Sequence, residues 1–285
     1  MTTKPKVSLV MCTRNRAAFL DGCLQALIRL KADVPFELVL VDNGSTDNTA
    51  TILAEFASQQ KMPVVLVSEP LPGVSQGRNA GIKAASGDVI AFTDDDCYPA
   101  ENFLTAVLAC FADKNLGYLG GRVLLFDPAD LPITIQTLNR TLPLPPHEYM
   151  SPGLIHGANF SFRREVLDRI GGFDKHLGSG TPCMAADDTD LLQRASVAGF
   201  AGLYSPGPVV HHHHRRQTAQ DEQRILRAYA ISRGAYFFKG LCSTSARRLF
   251  YWPVLRRFCG HLVYFRIKTL FFECRGAMNY YRSTL

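Results

Sequence analysis

The sequence lacks the features that mark several protein classes. It has no stretch of about 18 uncharged apolar residues, so no transmembrane helix is predicted. The early apolar run Val7–Cys12 is followed closely by Arg14 and is too short for the apolar region of a signal peptide. None of the eight cysteines forms a C-x-x-C pair, which argues against a zinc cage and a disulfide framework. These absences predict a cytoplasmic protein with reduced thiols.

Acidic residues are scarce in the last part of the chain. Between Leu241 and Leu285, eight basic residues are opposed only by Glu273, a local net charge of +7. Because the whole chain carries +6, the rest is close to −1. No nucleic-acid-binding motif accompanies these charges, so no nucleic-acid partner is predicted.

The basic tail also carries many aromatic residues, and its spacing predicts one amphipathic helix. The spacing of 4, 7 and 7 residues places the cations on one face, beside an apolar stripe. Two interpretations stay open: contact with an anionic membrane surface, or packing against the preceding domain. The cationic face comprises Arg257, His261, Lys268 and Arg275, and the stripe comprises Phe258, Leu262 and Phe265.

Short apolar strands alternate with helical patterns over the first hundred residues, which predicts an α/β fold with a parallel sheet. Right-handed crossovers place the carboxyl ends of such strands at one edge, where ligands bind in open α/β sheets. Polar residues follow three of these strands, namely Thr13-Arg14, Asp42 and Asp94-Asp95-Asp96. A binding site is therefore predicted at this edge.

The three acids Asp94, Asp95 and Asp96 are the strongest single signal in the sequence. They end a predicted buried strand with no basic neighbour in sequence. Packed carboxylates repel one another, and a bound cation relieves that repulsion. Hard divalent ions such as Mg²⁺ and Mn²⁺ take oxygen ligands and bridge phosphates. The alternative interpretation is an acidic turn that caps a helix.

Several further motifs occur in order between Val7 and Arg216, each at a predicted strand end or helix start. They are Thr13-Arg14-Asn15-Arg16, Asp42-Asn43-Gly44-Ser45-Thr46-Asp47, Gly77-Arg78-Asn79-Ala80-Gly81-Ile82, Gly171-Gly172-Phe173-Asp174 and Asp188-Thr189-Asp190-Leu191. Each motif is weak alone, but together with the three acids and in this order they are specific for one family. It resembles the family 2 glycosyltransferases of GT-A fold. The resemblance implies a mostly parallel sheet flanked by helices, with a C-terminal helical appendage.

The resemblance also implies a division of the chain and a nucleotide-sugar site. Residues 1–216 would form the catalytic domain, with a nucleotide-sugar half at 1–96 and an acceptor half at 97–216. Residues 217–285 would form the helical tail. The expected nucleotide-sugar-binding residues are Thr13, Arg14, Arg16, Asp42, Arg78, Asp94 and Asp95, with a UDP-sugar favoured as donor. For Asp42 the alternative is an ordinary turn residue.

The remaining implied roles concern the metal and the acceptor. The expected ligands of Mn²⁺ or Mg²⁺ are Asp96, Asp94, His212 and His214. The two histidines alternate on an extended segment and so face the same side, but a solvated basic segment is an equal alternative for them. Asp188 matches the catalytic base of inverting relatives, unless it only caps a helix. Asp187 and Asp190 are expected beside it on the acceptor side.

The expected activity is transfer of a sugar from a nucleotide donor to a glycan or lipid-linked glycan. Such an enzyme would build a surface or extracellular polysaccharide at the cytosolic face of a membrane. A nucleotidyltransferase is an alternative, although Thr13-Arg14-Asn15-Arg16 lacks the glycines of a phosphate loop. A non-catalytic nucleotide-sugar-binding protein is a second alternative. The segments Pro143–Pro152 and Gly178–Ala186 are expected to be acceptor-side loops, the second a mobile lid.

Overall fold

The computed structural model describes residues 5–285. Strands and helices alternate from the start, as the apolar pattern predicts. The strands are β1 Val7–Thr13, β2 Phe36–Asp42, β3 Val64–Ser68, β4 Val89–Asp94, β5 Cys97–Pro99, β6 Leu116–Leu125, β7 Leu142–Leu144, β8 Phe160–Arg163 and β9 Ala201–His212. The helices are α1 Leu20–Ile28, α2 Thr49–Gln59, α3 Val74–Ala84, α4 Phe103–Cys110, α5 Arg164–Ile170, α6 Asp187–Val197, α7 Ala219–Cys242, α8 Arg247–Val263 and α9 Ile267–Ser283.

The strands form one twisted sheet in the order β3-β2-β1-β4-β8-β6-β9-β5, with β7 paired to β9. The first four strands of this order are parallel, and the junction of β4 with β8 is antiparallel. Thr13 pairs with Asp42, and Cys12 pairs with Asp94, so the carboxyl ends of β1, β2 and β4 lie side by side. The second half is mixed, because β6 runs parallel to β9 and antiparallel to β8.

Alternation along each strand divides the core into two layers. On β1, Val7, Leu9 and Met11 face a layer that includes α1, α2 and α4. Val10, on the opposite face, joins a layer that includes α5 and α6. A sheet buried on both faces requires apolar residues at nearly every strand position, which explains the continuous apolar runs in the sequence.

The tail consists of the three helices α7, α8 and α9, which pack on one another and on the preceding part of the chain, residues 5–216, called the catalytic region below. At the crossing of α7 and α9, Gly234 and Gly276 lie so close to the opposite backbone that a Cβ on either would collide with it. Glu273 on α9 is buried there and accepts from Arg233 on α7 and from Arg257 and His261 on α8. One carboxylate therefore joins all three helices.

This arrangement corrects the predicted single amphipathic helix. The chain turns between Val263, where α8 ends, and Ile267, where α9 begins. Arg257 and His261 face inward to Glu273, while Lys268 is exposed on the next helix. The expected cationic face is therefore wrong, because the spacing argument assumed one unbroken helix. Within residues 5–285, no helix has both the length and the apolar character needed to cross a membrane.

Candidate active site

A cleft of about 660 Å³ opens at the carboxyl ends of β1 and β4. Its walls come from the sheet edge, the start of α6, the segment 179–185 and the first turns of α7. Most of the residues that the sequence singles out reach this cleft. They are Thr13, Arg14, Arg78, Asp94, Asp95, Asp96, Asp187, Asp188 and His212.

The three acids after β4 are surrounded by cationic and hydroxyl donors. Asp95 accepts from the Thr13 hydroxyl at 2.6 Å and from Arg16 Nε at 3.1 Å. The same Arg16 guanidinium donates to Asp96 at 3.1 Å. Arg16 does not line the cleft, so the structure places it behind the acids. Its guanidinium pairs with the carboxylates of Asp95 and Asp96 and holds them in place.

The three carboxyls differ in proton affinity although they are adjacent in sequence. Burial raises the pKa of Asp95 to about 6, against the opposing charge of Arg16. Burial also raises the pKa of Asp94, whereas the Arg78 charge lowers it. Burial acts in the same direction on Asp96, but its hydrogen bond with His212 and the charge of that histidine lower its pKa to about 2. Asp96 is therefore an anion at all physiological pH values.

Asp96, Cys97 and His212 present ligand atoms within 4.8 Å of one another. Nδ1 of His212 lies 3.1 Å from the Thr134 carbonyl oxygen, which places the Nδ1 proton there and turns Nε2 towards Asp96, 3.3 Å away. Burial raises the pKa of the Cys97 thiol well above its usual range, so it stays a neutral thiol. Carboxylate oxygen with imidazole nitrogen fits a divalent ion such as Mn²⁺. The residues therefore fit the expected metal.

His214 faces the same side as His212, with ring centroids 5.0 Å apart, but both of its nitrogens are engaged elsewhere. Nε2 lies 3.1 Å from the Leu131 carbonyl oxygen, and Nδ1 accepts from the Arg216 backbone N–H. His214 does not line the cleft. The structure thus places His214 in a supporting position, apart from the metal cluster, the name used here for Asp96, Cys97 and His212.

Arg78 connects the two acidic motifs of the cleft. Its side chain extends from α3 and donates to Asp187 at 2.6 Å and to Asp94 at 2.8 Å. The guanidinium lies 5.4 Å from the ring centre of Phe160 and 5.5 Å from that of Phe173, and it is almost fully buried. A buried guanidinium needs such partners, because an unpaired buried charge is costly.

Asp188 is held differently from the other acids. One carboxylate oxygen accepts from the Gly157 backbone N–H at 2.8 Å, and the other accepts from Thr189 N–H at 2.6 Å. No side chain caps the start of α6, where Ala186 adopts a left-handed conformation with φ 73°. Burial raises the pKa of Asp188, while the Arg78 charge lowers it. The carboxylate is oriented by backbone donors, and it lines the cleft.

A second, smaller cavity of about 150 Å³ adjoins the cleft. The two cavities share Asp188, His156 and Tyr229 among their lining residues. Asp188 therefore stands where two spaces meet. Ala186 and Arg233 line the smaller cavity but not the cleft.

Two other predicted site residues lie outside the cleft. Asp190 is buried and pairs with Arg194 at 2.9 Å and with Lys239 of α7 at 2.7 Å. It joins α6 to α7 of the tail and lines neither of the two cavities. Asp42 accepts from the Ser45 backbone N–H, and its neighbour Asn43 lines the cleft in its place.

The tail contributes to the cleft in a way that the sequence reasoning missed. Arg224, Ile225, Ala228 and Tyr229 of α7 line the cleft, together with Arg216 just before that helix. Their spacing of 1, 3 and 1 residues places them on one face of a helix, and this spacing is visible in the sequence. His156 was also missed; burial lowers its pKa to about 4, so its imidazole is neutral near pH 7.

Comparison with known proteins agrees with this geometry. Residues 8–171 match the sequence profile of Glycosyl transferase family 2, which is more than half of the chain. The chain belongs to glycosyl transferase family 2. The family prediction is thereby confirmed, and membership counts against the nucleotidyltransferase alternative.

Among curated relatives, the glycosyltransferase AglE of Haloferax volcanii is 26% identical over 201 residues, 70% of this chain and 64% of that protein. The chain spans less than two thirds of the length of the curated relatives that it matches.

Solved structures confirm the fold prediction. The mannosyltransferase PcManGT from Pyrobaculum calidifontis, in complex with GDP-Man and Mn²⁺, has a TM-score of 0.66 and 21% identity, covering 98% of this chain and 74% of that one. TarS 1-349 of S. aureus, in complex with UDP-GlcNAc, has a TM-score of 0.56 and 20% identity, covering 80% and 66%. The α/β sheet flanked by helices is shared with both.

Proposed function

We propose that this chain transfers a sugar from a nucleoside diphosphate sugar to a hydroxyl of a glycan or lipid-linked glycan, with inversion at the anomeric carbon. One observation carries the proposal. A single cleft holds two distinct acidic groups, one clustered with cations and a histidine, and one held by two backbone N–H groups and the Thr189 hydroxyl. Transfer requires this division, because the leaving diphosphate needs stabilisation of its negative charge, whereas the attacking hydroxyl needs a base that removes its proton.

The donor would bind at the β1 and β4 edge. Asp96 and His212 would hold a Mn²⁺ or Mg²⁺ ion, with Asp94 as a further carboxylate beside them. When bound, such an ion neutralises charge that develops on the leaving diphosphate. Arg14, Arg216 and Arg224 line the same cleft and would add donors to the phosphate oxygens. The complexes of PcManGT with GDP-Man and Mn²⁺ and of TarS with UDP-GlcNAc support a nucleotide-sugar donor, and a UDP-sugar remains favoured.

The acceptor would approach from the side of the smaller cavity. Its hydroxyl oxygen forms the new bond to the anomeric carbon while its proton passes to a carboxylate oxygen of Asp188. The bond between that carbon and the diphosphate oxygen breaks, and the electron pair leaves with the diphosphate. Burial favours this role, because a raised pKa makes the carboxylate a stronger base. Tyr229 and His156 adjoin Asp188 and would contact the acceptor.

The segment 178–186 would close over the donor. It contains two glycines with positive φ, Gly178 and Gly180, and Ser179, Gly180 and Thr181 line the cleft. Closure on donor binding would exclude water from the reacting centre. The product would enter a surface or extracellular polysaccharide, assembled at the cytosolic face of a membrane.

The deciding experiment measures binding and hydrolysis of UDP-, GDP- and dTDP-sugars, with and without Mn²⁺ or Mg²⁺. The wild type is compared with Asp96→Ala and with the matched control Asp168→Ala, which removes an exposed carboxylate on α5. Metal-dependent binding of one donor that only Asp96→Ala abolishes supports the proposal and identifies the donor. If donor binding is the same with and without the metal, and the same in Asp96→Ala as in the wild type, a non-catalytic binding protein is the better interpretation.

A further inference from the structure

The turn that joins α8 to α9 exposes an unusual run of apolar side chains. We call Trp252, Leu262, Val263, Tyr264, Phe265 and Ile267 the corner surface. Each leaves more than half of its surface in solvent, from 56% for Leu262 to 85% for Phe265. Single exposed apolar residues are common, but a contiguous patch marks an interaction site. Five of these six lie within six consecutive positions.

This exposure does not arise from loosely attached helices. The opposite face of α8 is well packed, since Phe250 and His261 are almost fully buried. On α9, Glu273 and Tyr280 bind groups on α7, α8 and the catalytic region. The tail is therefore fixed to the protein by one face, while the corner surface points away from it. Trp252 and Leu262 are both exposed, and their separation of ten positions places them about 80° from each other around α8 and about 15 Å apart along it.

Cations without acidic partners accompany the corner surface. Arg256, Arg266 and Lys268 are exposed, and none has an ion pair with a carboxylate among residues 5–285. Arg257, by contrast, pairs with Glu273 and balances a buried charge. The unbalanced cations therefore sit beside the exposed apolar groups. A partner that satisfies both must offer an apolar interior beneath a layer of negative charge.

We propose that the corner surface inserts into the headgroup region of an anionic lipid bilayer. Apolar residues would enter the boundary of the acyl chains, while Trp252 and Tyr264 would lie at the depth that amphipathic rings prefer. Arg256, Arg266 and Lys268 would meet anionic headgroups, each contributing electrostatic attraction that salt screens. The surface lies outside the donor cleft, so membrane binding and donor binding are separable properties of the protein.

The single tryptophan makes this proposal directly testable. Trp252 is the only tryptophan in the chain, so its fluorescence reports on this surface alone. The full chain is titrated with vesicles of phosphatidylcholine, with or without phosphatidylglycerol. A blue shift with the anionic vesicles only, reversed by salt and matched by co-sedimentation, is expected. An unshifted spectrum without sedimentation would overturn the proposal.

Two pairs of variants separate the apolar and electrostatic contributions. Tyr264→Ser with Phe265→Ser should weaken partitioning by at least about tenfold, because two large exposed side chains no longer insert. Arg266→Glu with Lys268→Glu should remove the preference for phosphatidylglycerol. The matched controls are Leu66→Ser, at an exposed apolar position of β3, and Lys83→Glu with Lys114→Glu, at exposed cations elsewhere. Controls should bind vesicles as the wild type does.

Light scattering and donor binding complete the test. Each variant must retain the thermal unfolding and the nucleotide binding of the wild type, which shows that the corner surface was altered without loss of the fold. If the wild type is a dimer that Tyr264→Ser with Phe265→Ser converts to a monomer, and vesicles do not shift Trp252, a second copy covers this surface and the membrane proposal is wrong.

Discussion

The two acidic motifs of the cleft resemble each other in sequence and differ in structure. Asp94, Asp95 and Asp96 lie together at a strand end, where Arg16 donates to Asp95 and Asp96, and Arg78 donates to Asp94. The acids at the start of α6 separate instead. Asp187 pairs with Arg78, Asp188 rests on backbone N–H groups, and Asp190 turns to the tail. Successive helical positions point about 100° apart, which produces this separation.

The comparison shows that acids adjacent in sequence stay together at a strand end but separate in space at a helix start. The three acids of the strand-end motif all line the cleft at one edge of the sheet, where we propose that the cation and the diphosphate bind. The three acids of the helix-start motif have separate environments: Asp187 pairs with Arg78, Asp188 lines both cavities, and Asp190 pairs with Lys239. Substitutions at matching positions should therefore have distinct consequences, and the following predictions test that distinction.

The largest effect is expected at Asp188. Replacement by Asn keeps the shape of the side chain but removes the base, so turnover should fall by about 10²–10⁴-fold. Donor affinity should stay within about twofold, since Asp188 does not belong to the metal cluster. Steady-state turnover and direct titration of the donor measure the two quantities. Equal loss of donor binding would show that the two motifs act as one.

His212 and His214 offer a matched pair within the donor side. His212→Gln should lower metal affinity by at least about tenfold, because Nε2 faces Asp96. His214→Gln should leave metal affinity nearly unchanged, since both of its nitrogens bind other groups. Calorimetric titration with Mn²⁺, after checking that both variants are folded, distinguishes them. A loss at His214 that matches the loss at His212 would mean that both histidines bind the ion.

Asp190→Asn should affect stability and leave the chemistry intact. The substitution deprives Lys239 and Arg194 of a buried carboxylate, and Lys239 keeps only Asp174. The free energy of unfolding should fall by about 3 kcal/mol, at the lower end for a broken buried pair. Turnover per folded molecule should be unchanged. Denaturant titration beside Asp168→Asn as control checks the first claim, and lost turnover in folded protein would contradict the second.

The smallest effect is a pH dependence at Asp174, which binds the same lysine as Asp190. Burial alone would raise the pKa of Asp174, but Lys239 and Tyr280 lower it from 3.8 to about 2. A depressed pKa stabilises the fold above about pH 4, and this contribution disappears as the pH falls towards 2. It amounts to about 2 kcal/mol.

Unfolding measured between pH 5 and about pH 2 tests this value. The wild type should lose more stability over this range than Asp174→Asn does. Parallel pH profiles for the two proteins would show that Asp174 is not depressed.

Local patterns correctly predicted the shared edge of the sheet, and long-range contacts account for what they missed. The period of two and the helical period are encoded within a few residues, so they placed Thr13, Asp42 and Asp94 correctly at one edge. Asp190 and Lys239 are 49 residues apart in the chain, and no spacing in the sequence predicts that they pair. The turn after Val263 likewise lacks a Gly or Pro within the turn itself, whereas Pro253 lies inside α8.

The presence of α7 in the cleft wall has a practical consequence for protein engineering. A shortened chain that ends at residue 216 would lose Arg224 and Tyr229 from the cleft and would leave Asp174 and Asp190 without Lys239. Exchange of the last 69 residues between relatives would likewise replace part of the cleft wall, together with the corner surface. The boundary at residue 216 is thus a poor place to cut, and a hybrid enzyme should keep α7, α8 and α9 together with the domain on which they pack.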